Sequence, residues 1–152
     1  MTHLTHDPID IQSLLALDQY PECGGLALFV GTVRNHHQGL PVVSLTYTAY
    51  PPLAIKRIAD IEQQACQRFG LSYCRVVHRL GLLHIGDVAI ACVARAGHRG
   101  QAFDACRYVV DEVKHQAPIW KEERYANGSS AYVQGCCIRP DAQPETCDGD
   151  HP

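Results

Sequence analysis

Lysine is nearly missing from this chain. Of 13 basic residues in 152, only Lys56, Lys114 and Lys121 are lysines, and the rest are arginines. Solubilising surfaces use lysine freely, so the few retained are candidates for chemistry closed to arginine, which stays protonated. A basic excess is missing too. Sixteen acidic residues leave a formal net charge of −3, which argues against a general nucleic-acid binder. No apolar run is long enough to cross a bilayer. The polar start MTHLTHDPID lacks the apolar segment of a signal peptide, so a cytoplasmic location is expected. The eight cysteines show no C-x-x-C spacing, which removes the ordinary zinc and thioredoxin patterns. They are scattered through apolar runs and read as reduced, mostly buried small hydrophobes. No repeat, P-loop, dinucleotide fingerprint, Ser-His-Asp or Cys-His arrangement or carboxylate pair stands out. Neither a metal nor a bound cofactor is expected.

What is present suffices for one core: 46% of the residues are hydrophobic and 19% charged. The expectation is a single domain over residues 1–138 and a flexible C-terminal tail over 139–152. The charge is uneven. Residues 1–22 hold four acids and no Lys or Arg, while residues 23–125 hold 12 basic and 8 acidic residues. A mildly cationic body therefore lies between two acidic ends.

Periodicity predicts the elements. Residues 9–17 suggest a short helix. Residues 24–33, 42–50, 72–81 and 88–96 are dense in β-branched and apolar residues and read as strands. Residues 82–87 give a short extended piece and a Gly-Asp turn, and 34–41 a polar loop. Residues 53–69 switch to a helical period, with a stripe of Leu53, Ile55, Ile58, Ala59, Glu62, Ala65, Cys66 and Phe69, and Gly70 as its stop. A second helix is expected over 100–116, burying Ala102, Phe103, Cys106, Val109, Val110 and Val113, and Pro118 ends it. Residues 119–125 are extended, 127–130 a turn and 131–138 a last strand. Short connections rule out parallel crossovers for most strand pairs. The fold class is α+β, a largely antiparallel sheet with two main helices.

Three groups of residues carry chemistry. Gly97-His98-Arg99-Gly100 stands where a strand ends and a helix begins. Free N–H groups and a partial positive charge there favour an anion, and His98 and Arg99 strengthen a phosphate or carboxylate site. Lys114 and Lys121 stand seven residues apart with Pro118 between them. The turn lets two ammonium groups converge from different elements, which suits acid–base or nucleophilic work. A helix-end lysine and an unrelated surface lysine are the plain alternative. Arg34 follows the first core strand in a loop, a common place for a site. The neighbouring His36 and His37 read as solvated, and His84 as a satisfied structural histidine. Strand alternation buries one of His78 and Arg79. Trp120 and Tyr125 flank Lys121, either to stack on a flat ring or to pack in the core. From residues alone this is an anionic-ligand site of Arg34, His98, Arg99, Lys114 and Lys121. It fits an enzyme, a binding module for an acidic tail, or a Schiff-base lysine enzyme acting on a phosphorylated substrate.

The segments FVGTVRNHHQG (29–39), VVHRLGLLHIGD (77–87), AGHRGQAFDA (96–105) and VKHQAPIWKEE (113–123) occur in this order and spacing. In this the chain resembles the large, catalytic subunit of molybdopterin synthase over roughly residues 24–134. The resemblance implies an α/β-hammerhead fold and a sulfurtransferase of molybdenum cofactor biosynthesis, with residues 1–138 as the catalytic domain. It implies transfer of sulfur from a small ubiquitin-like carrier, ending in a Gly-Gly thiocarboxylate, to cyclic pyranopterin monophosphate. It also implies a heterotetramer built on a dimer of this subunit. By position, Arg34, His98 and Arg99 match the family's phosphate and pterin residues, and Lys114 and Lys121 its two active-site lysines. Thr32 and Val33 match the lead into the arginine, and Glu122 and Glu123 the acidic stretch after the second lysine. The chain departs where the family has Trp-Val before an arginine. Here Tyr132-Val133 precedes Gln134, and Arg139 or a residue of a dimer mate would replace that arginine.

Overall fold

The computed structural model describes residues 2–133. Cys136, Cys137, Arg139, Cys147 and the expected tail, 139–152, lie outside the described residues, as does the last strand beyond Val133.

The elements run β1 (Leu4–Thr5), α1 (Ile11–Leu15), β2 (Gly25–Thr32), β3 (His36–His37), β4 (Leu40–Ala49), α2 (Pro51–Phe69), β5 (Tyr73–Arg79), β6 (Gly81–His84), β7 (Val88–Ala96), α3 (Arg99–Gln116), β8 (Ile119–Tyr125) and β9 (Ser130–Val133). They form two sheets. The first has the order β1-β5-β7-β2. It is antiparallel except where β1 runs parallel to β5. In the second, β4 pairs antiparallel with β8 and β6, β3 pairs with β4, and β9 with β8.

The first sheet is covered on both faces. On one face α2 and α3 pack Ile58, Ile61, Ala65, Ala105 and Val109 against Ala27, Val76, Ile90 and Cys92. On the other, α1 sets Leu14 against Val77, Ala91 and Val93. This explains why β7 is apolar without a break from Val88 to Ala94: both of its faces are interior. A third cluster of Val33, Leu45, Leu83 and Ala89 joins the two sheets. No helix among the described residues is long and apolar enough to cross a membrane.

Local chemistry sets the boundaries. Pro51 and Pro52 end a strand as expected, and they also occupy the first turn of α2, where a missing N–H costs nothing. Gly70 closes that helix in the left-handed conformation (φ 66°), its N–H bonded to the Cys66 carbonyl. The short first helix covers only 11–15, and the expected polar loop at 34–41 includes the small β3 pairing.

The helix faces match the expected stripes at Ile58, Glu62, Ala65, Ala102, Cys106, Val109, Val110 and Val113, which are buried, and depart from them at the edges. Leu53, Ile55 and Ala59 are exposed and Ala54 and Ile61 are buried in their place. On α3, Phe103 is exposed and Ala105 buried. At these positions counting large apolar side chains overstates the buried face, because Ala105 can pack closely where Phe103 cannot. Glu62 is buried for a polar reason: its carboxylate accepts the Val76 N–H (2.7 Å) and lies 2.7 Å from His3 Nε2. Of the described cysteines, Cys74, Cys92 and Cys106 are buried, Cys23 and Cys66 are partly exposed, and all five are free thiols.

Candidate active site

The two lysines do converge. Residue 117 precedes proline and takes an extended conformation (φ −75°, ψ 130°), so α3 stops there. The chain turns at Pro118, whose carbonyl accepts the Tyr50 N–H, and returns as β8. The register of β8 puts Lys121 opposite Tyr47 of β4 on one side and Val133 of β9 on the other. The last turn of α3 adds Val113 and Lys114. These residues, with His78, Ala117 and Ile119, line a cavity of about 60 Å³. That space holds a few waters or a carboxyl-sized group, and it is too small for a fused-ring substrate.

The walls are neutral where they could have been charged. His78 is buried on β5, and burial, reinforced by the nearby Lys114 charge, pulls its pKa down to about 4. Its Nδ1 lies 2.8 Å from the Arg79 carbonyl oxygen, which can only accept, so Nδ1 carries the proton. The Tyr47 ring meets the His78 ring edge to face, centroids 4.6 Å apart. Burial, with the Glu123 carboxylate nearby, pushes the Tyr47 hydroxyl up to about 12. Both rings are therefore uncharged at neutral pH, and among the described residues lining the pocket the charged ones are Lys114 and Lys121, with the buried Glu123 near Tyr47. Glu123 accepts a hydrogen bond from the Tyr125 hydroxyl (3.3 Å) and lies 3.7 Å from His37 Nδ1.

Other expected site residues are placed elsewhere. Glu122 points to the opposite face of β8 from Lys121 and Glu123, as strand alternation requires, and pairs across to Tyr132 and Thr46. Val33 is buried with Leu45 and Leu83, while Thr32 and Arg34 on either side are exposed. His98 and Arg99 form the cap and first residue of α3, exposed, with no acidic residue in the first turn. Gly24 and Gly25 pass directly beneath them. A Cβ at Gly25 would lie 2.9 Å from the His98 backbone, so the close approach requires glycine. Fifteen residues of helix separate Arg99 from Lys114, roughly 22 Å at 1.5 Å per residue. Because Gly25 pairs with Ala96 and Thr32 with Val88, Arg34 and His98 also follow opposite ends of β2 and β7. One chain thus has a lysine pocket at one end of α3 and an anion-attracting helix start at the other.

Two expectations about histidines are corrected. His37 is buried rather than solvated, because β3 folds it against Glu123, and His84 is exposed rather than structural. Trp120 is half-exposed on the outer face, and Tyr125 is buried. Tyr47 and His78 were not singled out by sequence. Strand alternation placed one of the pair His78–Arg79 inside, but nothing local shows that it meets Lys114. Among the described residues no three His, Cys, Asp or Glu side chains group as metal ligands do.

Paired lysines at the mouth of a small pocket with neutral walls, on an α+β frame that also carries an exposed basic helix start, define a protein built to hold small anionic groups. The comparisons with known proteins narrow this. The profile described as MoaE protein matches residues 4–116, and the chain belongs to that family. It is 40% identical over 126 residues to the molybdopterin synthase catalytic subunit 1 of Mycobacterium tuberculosis, covering 83% of this chain and 86% of that one. The crystal structure of molybdopterin synthase from Staphylococcus aureus superposes with a TM-score of 0.81 at 29% identity, covering 88% of this chain and 96% of that one. A complex of subunits 1 and 2 of molybdopterin-converting factor from Helicobacter pylori shares the fold (TM-score 0.69, 24% identity, 86% and 88% covered).

Proposed function

We propose that this chain is the catalytic subunit of a molybdopterin synthase. It transfers sulfur from the C-terminal thiocarboxylate of a small carrier protein to cyclic pyranopterin monophosphate, in the cytoplasm, where the free thiols of the core stay reduced. The observation that carries the reading is the convergence of Lys114 and Lys121 on one narrow cavity. A Gly-Gly tail is slender enough to enter it, and two ammonium groups attract its anionic end. Arginine would supply the charge but neither the compact head nor a proton to give away.

The phosphate belongs at the other cluster. Helix N–H groups, His98 and Arg99 provide donors and positive charge for it. Since that cluster lies roughly 22 Å of helix from Lys114, one copy does not place both on one substrate. A second copy does. β2 is the outermost strand of its sheet, and Leu28, Phe29 and Phe103 beside it are exposed, the kind of edge that natural proteins cover. A two-fold mate along β2 sets the start of one β2 beside the end of the other. His98 and Arg99 of one copy then face Thr32, Arg34 and the lysine end of its mate. The small cavity supports this arrangement: it takes the carrier tail alone and leaves the pterin at the mouth, between copies. Glu123 steadies the pocket from inside, and Glu122 lies on the outer face of the sheet, toward the carrier. Residues 1–138 form the catalytic domain.

Reconstitution tests the reading. The purified chain, given thiocarboxylated carrier and cyclic pyranopterin monophosphate, is expected to form the dithiolene. Assayed with the phosphorylated pterin well below saturation, Arg99→Ala is expected to keep about a tenth of wild-type activity and Lys121→Ala about a hundredth or less. Mixed and re-equilibrated, they regain up to about a quarter of wild-type activity per total subunit, because a mixed dimer carries one intact site. No product from the wild-type chain overturns the function. Product from wild type without recovery in the mixture overturns the shared site.

A further inference from the structure

The sulfur-transfer reading assigns no task to His78, yet its ring forms part of the wall of the lysine pocket. We propose that His78 is a positioning residue for that reaction, whose Nε2 accepts a hydrogen bond from the Lys114 ammonium and aims it at the carrier's terminal group. The proposal rests on the sulfur-transfer reading for its kinetic arm only.

The geometry leaves the ring one free function. Nδ1–H is spent on the Arg79 carbonyl at 2.8 Å, so the only acceptor is Nε2, on the far edge of the ring. The backbone N–H of His78 is spent as well, on the His3 carbonyl at 2.8 Å. Tyr47 of β4 fixes the ring plane from the side. Among the described residues, the polar groups that share the pocket with the imidazole are the Tyr47 hydroxyl on β4, the Lys114 ammonium on α3 and the Lys121 ammonium on β8, with the Glu123 carboxylate near Tyr47. Two cations and a neutral phenol are donors, and a buried neutral imidazole answers with an acceptor. A carboxylate in the same place would neutralise the lysine and repel the incoming tail. A neutral acceptor orients the ammonium and leaves its charge for the ligand. The burial that holds His78 far below the usual histidine range keeps this arrangement constant across physiological pH.

Two isosteres separate the role from simple packing. An asparagine amide reaches the place of Nδ1 but not of Nε2, and a glutamine amide reaches the place of Nε2. With wild-type activity established, His78→Asn is expected to slow single-turnover dithiolene formation about tenfold or more, with carrier affinity within about threefold of wild type. His78→Gln is expected to stay within about threefold. His78→Asn added to Lys114→Ala should slow the reaction no further, since His78 acts through that lysine. The reverse ranking of the two isosteres, or multiplicative losses in the double variant, overturns the proposal while leaving sulfur transfer standing. A second measurement needs neither activity nor substitution at His78. Nitrogen-15 spectra of histidine-labelled protein should show His78 as the Nδ1–H tautomer without titration between about pH 5.5 and 8, and Lys114→Ala should move the Nε2 signal. An Nε2–H tautomer, or an Nε2 signal indifferent to Lys114, overturns it independently.

Discussion

The two ends of α3 hold their charges in opposite ways. At the C-terminal end, Lys114, itself exposed, joins partly or fully buried side chains from β4, β5, β8 and β9 around a cavity of about 60 Å³. At the N-terminal end, His98 and Arg99 stand in the open. A site walled by several elements selects its ligand by shape, and its buried walls strengthen electrostatics beyond what open solvent allows. An open one attracts by charge, is screened by salt, and needs something else to finish it. The contrast matches what each end receives in the proposed reaction: a slender tail threaded in from one side, and a phosphate anchored at a surface another copy then covers.

Three measurements bear on that contrast. The largest effect is expected inside the pocket. Lys114→Ala and Lys121→Ala should each lower single-turnover dithiolene formation about 10²–10³-fold, the loss typical of one preorganised donor in a water-poor site. Folding, followed by far-ultraviolet circular dichroism, should be unchanged. Near-normal rates for both would remove the functional distinction between the ends.

The next effect is on stability. The folded-state pKa of His78, about 4, lies below its unfolded value of about 6.5. The unfolded chain therefore binds the proton more readily between these values. The contribution is fully present above about pH 6.5 and is lost as pH falls toward 4. The difference in urea-unfolding free energy between pH 7 and pH 4.5 should be larger for wild type than for His78→Gln, by about 2–3 kcal/mol. Equal pH dependence would mean that the enclosed end is wetter than described.

The smallest effect belongs to the open end. Arg99→Ala should weaken binding of the phosphorylated pterin about tenfold at low ionic strength, about 1.4 kcal/mol, and less as salt rises. Carrier binding should not change. Titration calorimetry at two salt concentrations checks this, and a salt-independent loss would show that the helix start is enclosed after all.

Much of the frame was legible from sequence because it is local. The β-branched run 88–96 and the extended run 119–125 match β7 and β8 at their ends, and Gly70 stops α2 where a left-handed residue is needed. Membership of the family was legible in the four motif segments. The convergence of the lysines was legible from one proline. The centres of the helix faces were legible too, with Ile58, Ala65, Val109 and Val113 buried as expected, but their edges were not. Whether Ile61 or Ile55 turns inward depends on which partner comes close, and close packing of two helices favours alanine over leucine. His78, Tyr47 and His37 were illegible as site residues for a related reason. Each meets a neighbour from a distant segment: Lys114, Lys121 and Glu123 respectively. Strand register fixes those meetings, and no window of sequence contains it.

The corner at Ala117 and Pro118 carries a last implication, one of counting. Side chains on β8 alternate with a period of two, so an odd or even number of residues between helix and strand decides which of them turn inward. As the chain stands, Lys121 and Glu123 face in while Trp120, Glu122 and Arg124 do not. A single residue inserted or deleted at this corner would invert that parity. It would put the Trp120 indole (on insertion) or the Glu122 carboxylate (on deletion) where the ammonium stands, with both lysines still present. On the proposed function, the length of this one connection matters to the site as much as the identity of its lysines. A chain of this fold that keeps both lysines but changes the count between them should not be assumed to keep the activity.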